Sequence, residues 1–250
     1  MQPLVDRETV LVALIVLLVA YLAGSLPIGP IVVRLASGKN MLEEHSGRTG
    51  GTNAMRIAGF WAGALTALGD LAKGWASVAL ARALVPDVPL AHAAAGALAV
   101  VGHNASIFLI ERVDGRVRLR GGAGGATAVG AGVALAPAVA WIILVGPLLL
   151  FGIGYASVAT LTSGVLMTLV LAAQAVGGAT PWAYVAFGVA AEGLMLLALR
   201  PNLARLRRGE ERLVGWRARA SKKPPRLSAP EAEPAGAPSR RAITRRQARP

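Results

Sequence analysis

Residues 126–176 read ATAVG AGVALAPAVA WIILVGPLLL FGIGYASVAT LTSGVLMTLV LAAQAV, and this stretch contains no charged side chain. It is more than twice as long as the roughly 20 apolar residues that a helix needs to cross a bilayer. A single span cannot account for it. The stretch therefore predicts several consecutive passages through a membrane.

The composition of the whole chain also indicates that lipid is its main solvent. Of its 250 residues, 54% are hydrophobic and only 16% are charged, whereas soluble domains carry about 25% charged residues. The chain has no cysteine and only three histidines, so we expect no metal and no cofactor. Further apolar runs cover residues 10–35, 57–84, 90–110 and 181–199, with polar loops at 37–56 and 111–125 and a short turn at 85–89.

Positive charge sets the predicted orientation. Arginine and lysine concentrate in the loops 37–56 and 111–125 and in the C-terminal part of the chain. The positive-inside rule assigns all three regions to the cytoplasm. An even number of passages must then lie between the second loop and the tail, so the stretch 126–176 has to supply three of them before the last helix.

Prolines indicate where the long stretch breaks. Pro137 and the Gly146-Pro147 pair are the predicted break points, which gives helices at 126–136, about 138–153 and about 157–176. The first of these is too short to cross alone, so we expect it to begin below the membrane surface or in a protein-lined cavity. The predicted fold class is an all-α polytopic transmembrane helical bundle of about seven helices, with the N-terminus outside and the C-terminus cytoplasmic.

The chain is predicted to divide into a transmembrane domain at 1–217 and a disordered basic cytoplasmic tail at 218–250. More than half of the 26 lysines and arginines lie from Arg200 onward, and beside membrane spans such a tail is typical of contact with the anionic cytoplasmic leaflet. The first apolar run is interpreted as a span, not as a cleaved signal peptide. Because no aromatic residue follows Trp216 to stack on bases, we expect no binding of nucleic acid.

Two glycine-rich loops precede predicted helices. Residues 120–127 read RGGAGGAT and residues 45–56 read HSGRTGGTNAMR. Successive backbone N–H groups and a helix N-terminus attract anions, and Arg120 can add a bidentate phosphate contact. Each loop by itself is also typical of a flexible or helix-capping segment. Two basic loops on one side of the membrane favour a shared anion pocket.

Ionisable and polar residues inside apolar runs are costly and usually functional. Asp70 and Lys73 lie three residues apart and share a helix face, and His103 lies in the following run. Asn202 and Arg205 come one turn apart after the last run. The alternatives are a structural ion pair for the first two, a structural hydrogen bond for His103 and a basic anchor at a helix end.

Taken together, these segments resemble a family of bacterial membrane acyltransferases that use acyl phosphate to acylate glycerol 3-phosphate. The matching motifs fall in family order and cover roughly residues 20–212. The family's G-S-I-P is similar to 24–27, its G-S-G-N-x-G-A-T-N-x-x-R to 45–56, its D-x-x-K-G to 70–74, its G-H to 102–103, its K-G-G-K-G-x-A-T to 120–127 and its H-R-x-N-x-x-R-L-x-x-G-x-E to 199–211.

The resemblance implies a reaction and its setting. The 1-hydroxyl of glycerol 3-phosphate would attack the carbonyl of a fatty acyl phosphate, giving lysophosphatidic acid and inorganic phosphate in the first step of phospholipid synthesis. It also implies a multi-pass protein of the bacterial inner (plasma) membrane, in contact with membrane lipids, and an enzyme that produces acyl phosphate as a metabolic partner.

The resemblance further implies which residues form the site. Ser25, Lys73, His103 and Asn202 are expected to be catalytic. The acyl-phosphate head group is expected to contact Arg120, Gly121, Gly122, Gly124 and Thr127. The remaining substrate-binding residues are Ser46, Gly47, Thr52, Asn53, Arg56, Asp70 and Arg205.

The sequence departs from the family motifs at positions that bear on phosphate binding. Ala123 stands where the motif has its second lysine, Leu199 where it has a histidine, and Arg48 where it has an asparagine. Arg48 and Arg120 are candidates to compensate for the lysine, although arginine and lysine are not equivalent. Two alternatives stay open: a catalytically weakened paralogue that binds lipid phosphates, and a small anion transporter. Against the transporter, the sequence has no visible inverted repeat.

Overall fold

The computed structural model describes residues 6–215, and the predicted tail at 218–250 lies outside the described residues. Within that range the chain is helical apart from one antiparallel hairpin and the connecting loops. The elements in chain order are α1 (Arg7–Ser25), α2 (Ile28–Ser37), α3 (Gly51–Ala58), α4 (Phe60–Leu84), α5 (Pro89–Asn104), β1 (Ile110–Val113), β2 (Arg116–Leu119), α6 (Gly125–Leu135), a 3-10 turn (Pro137–Val139), α7 (Ile142–Ile153), α8 (Ala156–Val176) and α9 (Trp182–Arg207).

Some of the described helices have the length and composition that a membrane crossing needs. Three segments of the described chain are long and apolar enough to cross a bilayer, namely Arg7–Ser37, Ala156–Val176 and Trp182–Arg207. α6 and α7 are apolar but shorter, and α4 has 25 residues with ionisable side chains among them. Helices α1 and α4 to α9 correspond to the predicted bundle of about seven. The orientation of the bundle stays a prediction.

The long uncharged stretch divides into three helices close to the predicted bounds, since α7 ends at Ile153 and α8 begins at Ala156. The first break follows α6 at Ala136, directly before Pro137. The second lies at Gly154, whose φ of 86° is the left-handed conformation that commonly ends a helix. The predicted break at Gly146-Pro147 is wrong, because Pro147 lies inside α7. Its missing N–H removes one helical hydrogen bond, a loss that membrane helices tolerate.

Three further segments differ from their predicted form. The apolar run 10–35 is not one helix, because Pro27 separates α1 from α2; proline disfavours the helical conformation in the residue before it. The loop 37–56 contains α3. The loop 111–125 contains the hairpin β1–β2, whose turn residues Asp114 and Gly115 both have positive φ, as tight hairpin turns require.

Glycines allow α4 and α6 to pack at backbone distance. A Cβ at Gly74 would lie 2.0 Å from the carbonyl oxygen of Thr127, and a Cβ at Gly130 would lie 2.0 Å from that of Leu71. Small residues at helix crossings give this close approach in lipid. The crossing brings the helix with Asp70 and Lys73 against the start of α6, directly after the second glycine-rich loop.

Candidate active site

A cavity of about 480 Å³ lies between the two glycine-rich loops and helices α3 to α9. Its polar part comes mainly from the first loop, α3 and the end of α9, and its apolar part from α4, α7 and the start of α8. The polar side chains are Ser46, Arg48, Thr52, Asn53, Arg56, Asp70, His103, Thr160, Ser163 and Asn202, and the large apolar ones are Met55, Phe60, Leu68, Leu71, Val129, Ile142, Ile143, Pro147, Leu150, Phe151 and Leu199.

The structure brings half of the predicted site residues to this cavity. Those that line it are Ser46, Thr52, Asn53, Arg56, Asp70, His103, Gly124 and Asn202. The predicted residues that do not line it are Ser25, Gly47, Lys73, Arg120, Gly121, Gly122, Thr127 and Arg205. The contacts of several of these residues show that they support the lining residues. Their proposed contacts with substrate stay predictions.

A buried ionic cluster stands at the cavity wall. The Asp70 carboxylate lies 2.8 Å from the ammonium of Lys73 and 3.3 Å from Nδ1 of His103. All three side chains are buried, with 3%, 5% and 5% of their surface exposed. Lys73 also donates a hydrogen bond to the carbonyl oxygen of Leu26, at 3.2 Å. The cluster therefore ties α4 to α5 and to the break between α1 and α2.

The second glycine-rich loop packs on His103. The N–H of Gly122 donates to the backbone carbonyl of His103 at 2.9 Å. A Cβ at Gly122 would lie 2.1 Å from Nε2 of the imidazole, and one at Gly121 would lie 2.3 Å from the His103 carbonyl oxygen. Glycine is required at both positions because the backbone itself touches α5. Thr127, in the first turn of α6, is buried, and its hydroxyl has no hydrogen-bond partner among the described residues.

Arg120 connects the two glycine-rich loops. Its guanidinium donates to the Glu111 carboxylate at 2.8 Å and to the carbonyl oxygens of Leu42 and Gly47 at 3.0 and 3.1 Å. These acceptors belong to the hairpin and to the first loop. The side chain that the sequence suggested as a phosphate ligand is thus occupied by internal contacts.

Two more predicted residues are held by the fold. The Asn53 amide donates to the backbone carbonyls of Arg48 and Glu44, at 3.0 and 3.3 Å, and so shapes the first loop. Ser25 is buried, and its hydroxyl donates to the carbonyl of Tyr21 within α1, at 2.8 Å. Its own carbonyl accepts from the hydroxyl of Ser106, at 2.6 Å.

The end of α9 contributes a further polar cluster. Glu211 is buried, and its carboxylate accepts from the hydroxyl of Ser157 at 2.5 Å and from the amide of Asn202 at 3.1 Å. The amide oxygen of Asn202 has no partner within residues 6–215. Sequence reasoning missed Ser157, because a small polar residue in an apolar helix is indistinguishable from a packing residue.

Arginines make the polar part of the cavity cationic. Arg56 donates to the carbonyl of Arg212 at 3.0 Å, and burial lowers the pKa of Arg56, with a smaller effect from the nearby Arg212. Burial likewise lowers the pKa of Arg48, followed by repulsion from Arg205. Partly buried guanidinium groups that repel one another favour an anion between them. A cavity with a cationic part and an apolar part fits an amphiphile with an anionic head group.

Comparisons with known proteins agree with this chemistry. The family model described as glycerol-3-phosphate acyltransferase matches residues 14–209. The glycerol-3-phosphate acyltransferase of Rubrobacter xylanophilus is 38% identical over 203 residues, which cover 81% of this chain and 96% of that protein. The enzyme of the same name from Thermus thermophilus is 37% identical over 210 residues, covering 82% of this chain and 96% of the relative.

A solved structure has the same fold. It is that of PlsY, an integral membrane glycerol 3-phosphate acyltransferase, in its glycerol 3-phosphate form, and it matches with a TM-score of 0.69 at 27% identity, covering 81% of this chain and 96% of that one. The form with lysophosphatidic acid gives a TM-score of 0.67 at the same identity, covering 81% and 95%. The predicted multi-pass helical bundle is confirmed.

The ionic cluster predicts a strong effect of Asp70→Asn on stability. The change leaves Lys73 buried without its counter-ion, and removing one partner of a buried pair typically costs about 3–5 kcal/mol. We expect the thermal unfolding midpoint of the purified protein in detergent to fall by at least about 6 °C. Asp87→Asn is the control, because Asp87 is exposed in the turn between α4 and α5. Equal midpoints for Asp70→Asn and the unmodified protein would contradict the structural role of the cluster.

Proposed function

The chain belongs to the glycerol-3-phosphate acyltransferase family, and on that premise we propose that it transfers a fatty acyl group from acyl phosphate to the 1-hydroxyl of glycerol 3-phosphate. The products are lysophosphatidic acid and inorganic phosphate. Family membership supports the acylation of glycerol 3-phosphate in general terms. The acyl-phosphate donor and the position of attack belong to the proposal.

One observation carries the proposal: a single cavity joins a cationic polar part to an apolar part. Glycerol 3-phosphate is a small anion with hydroxyl groups, which suits the side chains of Ser46, Thr52, Arg56 and Asn202. An acyl phosphate has a second anionic head and a long apolar chain. The apolar lining from α4 and α7 suits that chain, and the acyl group would reach the cavity from the bilayer without crossing water.

The reaction requires no covalent enzyme intermediate. The hydroxyl oxygen forms a bond to the acyl carbon, the bond from that carbon to the phosphate oxygen breaks, and phosphate leaves with the electron pair. The hydroxyl proton passes to the departing phosphate. Positioning of the two anions and stabilisation of the developing charge supply the catalysis.

The contacts of His103 support direct attack. Among the described residues its imidazole lies against the Asp70 carboxylate, and none of the hydrogen bonds of the cavity joins it to a serine or threonine hydroxyl. A Ser-His-Asp arrangement for acyl-enzyme chemistry therefore lacks its first contact. We propose that His103 faces the reacting centre as a hydrogen-bonding group, while Lys73 holds the Asp70 carboxylate in place.

The proposal includes a cellular setting. A multi-pass protein with this activity belongs in the bacterial plasma membrane, where its lipid product is used. An enzyme that makes acyl phosphate must supply the donor, and the anhydride bond of acyl phosphate provides the driving force for ester formation.

A donor comparison tests the reaction. Purified protein in detergent receives glycerol 3-phosphate with either hexadecanoyl phosphate or hexadecanoyl-CoA. We expect release of inorganic phosphate that depends on glycerol 3-phosphate with the first donor, and no ester product with the second. Ester formation from the CoA thioester alone would refute the proposed donor, and no ester from either donor would refute the activity.

The apolar part of the cavity predicts an effect of Gly146→Leu on chain-length preference. Gly146 lines the cavity within α7, and an added Cβ would only touch Ser163 at 3.4 Å. A leucine side chain fills space that the acyl chain needs, so kcat/KM for hexadecanoyl phosphate should fall by about tenfold or more, equivalent to about 1.4 kcal/mol. Octanoyl phosphate should be less affected.

The matched control for this variant is Gly152→Leu. Gly152 is near the end of the same helix, is exposed, has nothing within 4 Å of an added Cβ and does not line the cavity. It should leave the chain-length preference unchanged. If Gly146→Leu and Gly152→Leu reduce kcat/KM to the same degree with hexadecanoyl phosphate and with octanoyl phosphate, the acyl chain does not occupy this part of the cavity.

A further inference from the structure

The second glycine-rich loop brings no charged side chain to the cavity. Ala123 lines the cavity with a methyl group, at the position where the family motif K-G-G-K-G-x-A-T has its second lysine. Arg120, the cation of the same loop, donates its hydrogen bonds to Glu111, Leu42 and Gly47. A phosphate bound beside this loop must therefore obtain its cationic partner from another part of the chain.

Arg48 of the first loop has the properties that such a partner needs. It lines the same cavity as Ala123. One amino group of its guanidinium, Nη2, donates to the backbone carbonyl of Ala198 on α9. The other, Nη1, is buried and has no hydrogen-bond partner within residues 6–215. An unpaired buried donor is costly, especially on a charged group, and a bound anion removes that cost.

Glu211 attracts Arg48 but makes no ion pair with it. Glu211 acts on Arg48 through space, but its two oxygens already accept from Ser157 and Asn202. No ion pair joins Arg48 to an acidic side chain in the part of the chain that the structure describes. Lys73, by contrast, is paired with Asp70 at 2.8 Å. The guanidinium of Arg48 is thus left without a direct carboxylate partner among the described residues.

The backbone fixes the direction of the Arg48 side chain. Gly47, which precedes it, has a φ of +63°, a conformation that favours glycine. The amide of Asn53 holds the Arg48 carbonyl at 3.0 Å. With its backbone held by Asn53 and its guanidinium anchored on Ala198, the arginine is pre-organised, so that little side-chain entropy is lost when it binds an anion.

We propose that Arg48 is a phosphate-binding residue of this chain and that it replaces, from the first loop, the lysine that is missing at Ala123. This inference rests on the proposed function and deepens it. The ligand is a terminal phosphate dianion, which either the glycerol phosphate or the acyl phosphate can supply. Arginine suits the role because its fork of donors can hold the Ala198 carbonyl and a phosphate oxygen at the same time.

The test combines Arg48→Asn, Ala123→Lys and the double variant, with KM measured separately for each substrate. We expect Arg48→Asn to raise KM for one of the two phosphates by about 10- to 100-fold, as loss of a hydrogen bond from a charged donor implies. The substrate affected identifies the phosphate that Arg48 binds. Adding Ala123→Lys to Arg48→Asn should recover at least part of this loss. Arg118→Asn, on the exposed strand β2, is the control and should change neither KM.

Unchanged KM values for both substrates in a folded Arg48→Asn protein would overturn the inference and leave the proposed function standing. The inference would also be overturned if Arg48→Asn raises KM and the added Ala123→Lys does not reduce it. If Arg48→Asn does not fold, Arg48→Lys replaces it, because a lysine has one nitrogen in place of the two separate amino groups with which Arg48 would reach the Ala198 carbonyl and a phosphate. A KM raised severalfold in Arg48→Lys supports the inference, and an unchanged KM overturns it.

A binding measurement separates this inference from the proposed function. Should the unmodified protein lack activity with acyl phosphate, inorganic phosphate is used as the probe in thermal unfolding. Phosphate should raise the unfolding midpoint of the unmodified protein and of the double variant. It should leave the midpoint of Arg48→Asn unchanged. The same rise in the unmodified protein and Arg48→Asn, or no rise in either, would overturn the role of Arg48.

Discussion

The carboxylate of Asp70 lies inside the helical bundle, and the contacts that neutralise its charge determine how the site is arranged. It pairs with Lys73 on its own helix and contacts His103 on α5, while Lys73 reaches the carbonyl of Leu26 at the break between α1 and α2. An unpaired charge at this depth would cost several kcal/mol. The three helices must therefore keep one arrangement, and that arrangement presents His103 to the cavity and to the second glycine-rich loop.

The two glycine-rich loops have different physical roles. The glycines of the second loop allow its backbone to touch α5, since a Cβ at Gly122 would collide with the imidazole of His103. Arg120 then holds this loop to the first one. The first loop, stabilised by Asn53, delivers side chains to the cavity. Of two loops that look alike in sequence, the first thus contributes the polar side chains of the cavity and the second mainly its backbone. This difference underlies the proposed role of Arg48.

The sequence predicted the elements that depend on local pattern. The uncharged stretch 126–176 yields three helices, and Pro137 marks its first break. The predicted helix bounds place the second break correctly, between residues 153 and 157. Its assignment to Gly146-Pro147 was wrong because proline is tolerated inside a membrane helix, whereas Gly154 ends α7 through its left-handed conformation. Contacts between residues far apart in the chain could not be predicted from the sequence pattern. The hydrogen bond from Arg48 to Ala198 and the one from Ser157 to Glu211 both depend on how α9 packs. Such contacts show which residues line the cavity and which support the lining residues.

The central claim is that one cavity holds a glycerol phosphate and an acyl phosphate so that the first attacks the second. The most direct test counts both products. Purified protein is incubated with isotopically labelled glycerol 3-phosphate and hexadecanoyl phosphate, and labelled lysophosphatidic acid and released phosphate are quantified over time. The account predicts one lysophosphatidic acid for each phosphate released, with the acyl group on the 1-hydroxyl. Phosphate release without a matching amount of lysophosphatidic acid would show hydrolysis instead of transfer and would contradict the account.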